Sequence, residues 1–120
     1  MPDIVITEFG ANIFPEHVQV GLDQPDLMGL VSGKFVMEVI GENGGSEFLQ
    51  IAVELPPARH PNADLQSAVA QAIRSQLLRL NSEFANYVPS SKQIPQVELL
   101  PFADPAYFPS GVKHRYTRKI

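Results

Sequence analysis

At 120 residues, 44% of them apolar and none of them cysteine, the chain is sized for one globular domain with a single core, and disulfides and thiolate metal ligands are excluded. Its net charge of −4 is uneven: Lys113, Arg115, Arg118 and Lys119 are four of the nine basic residues, leaving five against thirteen acidic ones elsewhere. That acidic body excludes a general nucleic-acid binder, whose phosphate contacts need a basic surface, and the basic tail over 110–120 is either a solvated end or a local anion site.

Ile4-Val5-Ile6 is a short β-branched run that ends at a turn, Gly10-Ala11-Asn12. Pro15 suits a first helical turn, where its missing N–H costs nothing, and Val18 and Leu22 then share one face with Phe14. The spacing predicts a short helix from about Pro15 to Asp23, stopped by Pro25. Lys34 to Ile40 and Glu47 to Leu55 predict two strands joined by a hairpin connection over Gly41-Glu42-Asn43-Gly44-Gly45-Ser46. Phe35, Met37 and Val39, with Leu49, Ile51, Val53 and Leu55, make one strongly apolar face. The other face is mixed, so one side of the sheet is expected to pack on helices.

Asn62 is a candidate N-cap with Asp64 in the first turn behind it. Leu65, Val69, Ile73, Leu77 and Leu80 recur at three- and four-residue steps, which predicts an amphipathic helix over Ala63 to Leu80. Asn81 or Ser82 then caps a shorter helix through Tyr87. Gln96 to Leu100 reads as another strand. Pro101, Pro105 and Pro109 punctuate a loop in which Phe102 is expected inside, and Val112 to Thr117 reads as a last short strand. The order strand, helix, hairpin, long helix, strand, strand is that of a small α+β sandwich. It has an antiparallel or mixed sheet with helices mainly on one face, and the ferredoxin-like arrangement is the nearest named architecture.

No membrane partner is expected, because no apolar run approaches the ~18 residues of a bilayer span and no leader pattern opens the chain; the cytoplasm is the expected location. The inventory for independent catalysis is poor. His17, His60 and His114 are far apart and show no metal-ligand spacing, so no metal site is expected. There is no phosphate loop, no dinucleotide fingerprint and no strained nucleophile turn. From spacing alone, Glu8 to Val18 is a strand–turn–helix connection and Phe108 to Tyr116 is a loop feeding a charged end.

Taken together, however, these segments resemble the C-terminal domain of the phenylacetate–CoA ligase-like branch of the adenylate-forming superfamily. Gly10-Ala11-Asn12-Ile13-Phe14-Pro15 matches that branch's G-x-N-[IV]-[FY]-P element, and Asp3 falls at its hinge aspartate. Leu80-Asn81-Ser82-Glu83-Phe84 is similar to its N-S-E-[YF] run. Gly111-Val112-Lys113-His114-Arg115 stands where the commoner S-G-K form lies, with Val112 inserted between glycine and lysine.

The resemblance implies that residues 1–9 hold the hinge and first strand of a swinging lid, inactive alone, whose partner is an N-terminal adenylation domain. That larger domain would bind ATP, Mg²⁺ and a carboxylic acid, an aryl acid by analogy, with AMP and an acyl-CoA as products. The resemblance makes Lys113 the adenylation lysine, with Arg115 and Lys119 as further phosphate-binding candidates. It makes Asp3 the pivot, and Gly10, Ala11 and Asn12 the wall of the coenzyme A pantetheine channel. None of these cofactors is expected to bind this domain tightly, and a homodimer is left open. The rival reading is a non-enzymatic small-ligand-binding or regulatory α+β interaction module, since fold alone does not decide function. A separate small subunit pairing with a ligase body is a third.

Overall fold

The apolar side of the two central strands sets the layering. The computed structural model describes residues 4–41 and 47–118, and the expected turn at 42–46 lies outside the described residues. Strand β3 (Phe35–Gly41) pairs antiparallel with β4 (Glu47–Glu54), placing Phe35 opposite Val53, Met37 opposite Ile51 and Val39 opposite Leu49. These residues face one way because strand side chains alternate, and all but half-buried Val39 are buried in the main core.

Helix α2 (Ala63–Leu80) lies on that face and contributes Leu65, Val69, Ile73 and Leu77 to the core. Its first turn is capped as expected, with the Asn62 side chain accepting from the Leu65 N–H at 2.8 Å. Leu80, the last residue of the predicted stripe, is only half-buried, and Ala70 enters the core instead. Strand β5 (Gln96–Leu100) pairs parallel with β4, Val97 opposite Ile51 and Leu99 opposite Val53. A parallel neighbour requires a long crossover, and α2 with the short α3 (Ser82–Tyr87) supplies it. The result is a mixed sheet in the order β3-β4-β5.

The first strand does not enter that sheet. Strand β1 (Val5–Ile6) pairs antiparallel with β2 (Asn12–Ile13), a two-residue strand that the alternation was too short to reveal. Helix α1 (Pro15–Leu22) follows, with Pro15 at its start and Val18 and Leu22 buried. It crosses α2 at Gly21, where an added Cβ would stand 2.9 Å from the Ile73 Cα and 3.2 Å from the Ala72 carbonyl oxygen. The glycine is there for space, and nothing in the sequence pattern singled it out.

The mixed face of β3 and β4 is covered by the C-terminal segment instead of a helix. Phe108, 2% exposed, packs with Val36 and Ala52, with Tyr107 and Leu100 beside them. Phe102, expected inside, is 53% exposed. The aromatic ring that packs on the sheet face is Phe108, six residues later, after the turn that starts at Pro101. The expected final strand over Val112 to Thr117 is reduced to a single bridge between Met37 and Thr117 on the free edge of β3. Met37 donates to the Tyr116 carbonyl at 2.7 Å and the Arg118 N–H donates to the Met37 carbonyl at 2.8 Å. One step earlier the His114 ring, through Nε2, takes the Phe35 carbonyl at 2.8 Å, an acceptor that a longer strand would have used for its own N–H. No helix among the described residues is long and apolar enough to cross a membrane.

Gly21→Ala tests the helix crossing. Backbone atoms cannot move aside cheaply, so the variant is expected to lose about 1–3 kcal/mol in urea unfolding, the usual cost of overpacking. Stability equal to the parent would mean that α1 shifts on α2 without penalty.

Candidate functional site

The two ends of the chain build two separate surfaces. At the first, Thr7 to Gly10 makes a tight turn in which the Gly10 N–H donates to the Thr7 carbonyl at 2.9 Å. The turn is closed by Ala11 N–H to Thr7 Oγ1 at 3.2 Å and by Thr7 N–H to the Ala11 carbonyl at 3.0 Å. Gly10 has φ +84°, and an added Cβ would meet nothing within 4 Å. Within this chain the glycine is therefore demanded by its backbone torsion and not by crowding. Gly10 is exposed, Asn12 is half-buried and Ala11 is fully buried, backbone included, so Ala11 adds no surface to such a wall.

The structure joins this turn to the run around Asn81. Glu83 Oε1 accepts from the Asn12 N–H at 3.0 Å, across 71 positions of sequence. Asn81 Nδ2 donates to the Asn12 carbonyl at 2.7 Å, and Asn81 Oδ1 accepts from the Phe84 N–H at 2.9 Å. One side chain, 5% exposed, therefore caps α3 and also holds β2. The expectation of an Asn81 cap is met, but its grip on Asn12 was not legible, because contacts between distant segments leave no periodicity. Glu8, in the same turn, pairs with Lys92 at 3.4 Å, and Lys92 also donates to the Glu47 carbonyl at 2.8 Å.

At the second surface, the C-terminal segment encloses an open concavity of about 260 Å³ whose walls include Val36, Tyr107, Lys113, Arg115 and Arg118. Lys113 and Arg115 are exposed. The Arg118 guanidinium sits over the Tyr107 ring, 4.5 Å from its centre. The Tyr107 hydroxyl donates to Glu38 Oε1 at 2.7 Å, and Gln50 Nε2 donates to the same oxygen at 3.0 Å. Glu38 is 3% exposed. The hydrogen bond to Glu38 holds the Tyr107 phenol above its ordinary pKa of 10.0; burial and the Glu38 charge add to this, and Arg118 opposes it.

Thr7, Glu8 and Phe9 of the Gly10 turn line one concavity, and Lys113 lines another. The tail does approach α1: Pro15, Glu16, Phe35 and Tyr116 share an apolar hollow. Asp3 and Lys119 lie outside the described residues. The histidines stand apart in different roles. His17 packs edge-on to Phe14 with its Nδ1 unpartnered, His60 is exposed, and His114 lies between Phe108 and Tyr116. Among the described residues no three His, Asp or Glu side chains gather at metal-binding distance. Sequence reasoning passed over Tyr107 and the carboxylate beneath it, although Glu38 in the middle of an apolar strand was a visible signal.

The chain matches no family model and no curated protein. Among solved structures its fold is similar to that of a domain of phenylacetate-coenzyme A ligase from Bacteroides vulgatus, with TM-score 0.56 and 17% identity over 99% of this chain and 93% of that one. It is also similar to part of the acyl-CoA synthetase of Brucella canis, with TM-score 0.53 and 22% identity over 83% of this chain. The match spans only 16% of the synthetase. At these identities the likeness is one of fold.

Asn81→Ala leaves the half-buried Asn12 carbonyl and the buried Phe84 N–H without their Asn81 partners and is expected to cost about 2–4 kcal/mol in chemical denaturation. Gly10→Ala, strained only in torsion, is expected to cost about 1–2 kcal/mol; a larger loss for Gly10→Ala than for Asn81→Ala would reverse the assignment. In alkaline titration followed by tyrosine absorbance, one of the three tyrosines should ionise above the ordinary range, and Tyr107→Phe should remove it. Because the folded-state pKa is raised, this phenol's contribution to stability is complete below its unfolded value. It is lost as the pH rises through the folded value.

Proposed function

We propose that this chain is the small C-terminal domain of an ATP-dependent, AMP-forming acid–CoA ligase of the phenylacetate–CoA ligase kind. The observation that carries the reading is the shared fold, which extends over 99% of this chain and 93% of a phenylacetate-coenzyme A ligase domain. The hydrogen bonds that join Asn81 and Glu83 to Asn12 lend support, since they link two of the segments on which the family resemblance rests.

In this reading a larger adenylation domain binds ATP, Mg²⁺ and a carboxylic acid, an aryl acid by analogy with the phenylacetate enzyme. The acid's carboxylate oxygen attacks the α-phosphate, forming the acyl-adenylate and releasing pyrophosphate; the thiol of coenzyme A then displaces AMP. The described residues gather no acidic ligand set for Mg²⁺, which the proposal assigns to the larger domain. They do fit phosphate oxygens, because Lys113, Arg115 and Arg118 line one concavity and form no ion pair with an acid among the described residues. Lys113 supplies a compact cation to the negative charge that develops during adenylation, and Arg115 and Lys119 reinforce it. Gly10 and the Asn12 backbone form the wall along which pantetheine passes, and Asp3 is the pivot of a domain that swings between the two half-reactions. Thr7, Glu8 and Phe9 of the Gly10 turn line one concavity and Lys113 another, which suits a domain that presents one surface for each step. The proposal has the enzyme working in the cytoplasm.

Alone, the chain is expected to turn over no acid. In the enzyme that contains it, Lys113→Ala is expected to slow adenylation about a hundredfold or more while sparing thioester formation from preformed acyl-adenylate. The two half-reactions are read separately by pyrophosphate exchange and by acyl-CoA release. Equal loss in both, or turnover of acid by the chain alone, overturns the reading.

A further inference from the structure

The body of the chain is acidic, yet three cations converge on the one concavity of about 260 Å³ formed by the C-terminal segment. They are not equivalent. All three are exposed, and contacts fix only one of them. Arg118 is held at both ends: its N–H donates to the Met37 carbonyl at 2.8 Å, and its guanidinium lies 4.5 Å from the centre of the Tyr107 ring. Tyr107 is fixed in turn, through its hydroxyl on Glu38 Oε1 at 2.7 Å and its N–H on Asp104 Oδ2 at 3.1 Å. These two carboxylates already serve other donors. Glu38 is buried behind Tyr107 and also receives Gln50, and Asp104 also accepts the Ala106 N–H. No ion pair joins Lys113, Arg115 or Arg118 to an acid among the described residues.

A guanidinium parked on an aromatic face keeps its edge N–H groups free, and that edge matches the paired oxygens of a phosphate. We infer that the concavity between Tyr107 and Arg118 is a phosphate-binding groove in which Arg118 is the preorganised fork and Lys113 and Arg115 are mobile counter-charges. Its ligand class is a phosphate ester or diphosphate. The groove is read from charge and contacts within this chain and stands without the ligase reading. Only the natural source of the phosphate rests on that reading, as either the polyphosphate of a nucleoside triphosphate or the phosphates of coenzyme A.

The test is titration of the isotope-labelled chain with inorganic pyrophosphate at low ionic strength, followed by amide NMR. Saturable shifts are expected at Lys113, Arg115, Thr117 and Val36. Arg118→Gln should weaken the affinity about tenfold or more, the scale of one charge-assisted pair of hydrogen bonds. Arg118→Lys should restore only part of it, because it returns the charge without the fork. Added potassium chloride should weaken binding steadily, as it does for exposed charges. Equal shifts at Lys34 and Lys92, or an affinity unchanged by Arg118→Gln in a variant with native dispersion, overturn the groove. Two further arms identify the source: a loss on replacing coenzyme A by its dephospho form points to coenzyme A, and tighter binding of ATP than of either points to the triphosphate; both support the site. The readout also separates the two readings. If coenzyme A moves Gly10 to Asn12 while pyrophosphate leaves the tail unmoved, the groove is lost and the ligase reading stands. Pyrophosphate binding at the tail by a chain whose Gly10 turn ignores coenzyme A leaves the groove and weakens the ligase reading.

Discussion

Two carboxylates sit on the face of the sheet that the C-terminal segment covers, and the chain from Pro101 to Arg118 is arranged around them. Glu38 and Glu54 are 3% and 2% exposed. Buried groups of this kind must find donors, since an unsatisfied one costs several kcal/mol. Glu54 receives the Ser32 hydroxyl at 2.6 Å and the Ala103 N–H at 2.9 Å, and Glu38 receives Tyr107 and Gln50. Ala103 has φ +60°, a torsion alanine adopts at a cost of about 1–2 kcal/mol, and the bond to Glu54 helps hold it there. From that point the chain turns back over the sheet, buries Phe108 and delivers its basic residues to the free edge of β3. The position of the tail thus follows from the polarity of the sheet beneath it.

The opposite end is organised by one side chain of different chemistry. Asn81 can donate and accept at once, so it closes the N-terminus of α3 and takes the Asn12 carbonyl in the same plane. An aspartate could not donate the second bond, and a serine could not span both. The consequence is that the Gly10 turn rides on the junction of α2 and α3, while α2 itself is held against α1 through the missing side chain of Gly21. These contacts make the N-terminal turn, both helices and the sheet a single packed unit that would move together.

A rigid small domain carrying two unlike surfaces is a physical basis for the lid role proposed here. One surface is a backbone turn that Gly10 permits through its positive φ and that buried Ala11 anchors. The other is a cationic groove on a fixed aromatic platform.

Local chemistry was enough to read most elements from the residues. The 3.6-residue period of α2, the alternation in β3 and β4, the Asn62 cap and Pro15 at the head of α1 each rest on interactions within a few positions of sequence. What distant segments do to one another was not legible. The parallel pairing of β4 with β5, the two-residue β2, the crossing at Gly21 and the grip of Asn81 on Asn12 depend on which surfaces meet, and a linear pattern does not encode that. The tail shows the division most plainly. Its sequence determined that four cations lie within the last eight residues and that aromatic residues precede them. Only the tertiary structure decided that Phe108 and not Phe102 enters the core, and that the expected strand shrinks to one bridge. It also decided that Arg118 rests on Tyr107, whose phenol joins Gln50 as a donor to buried Glu38.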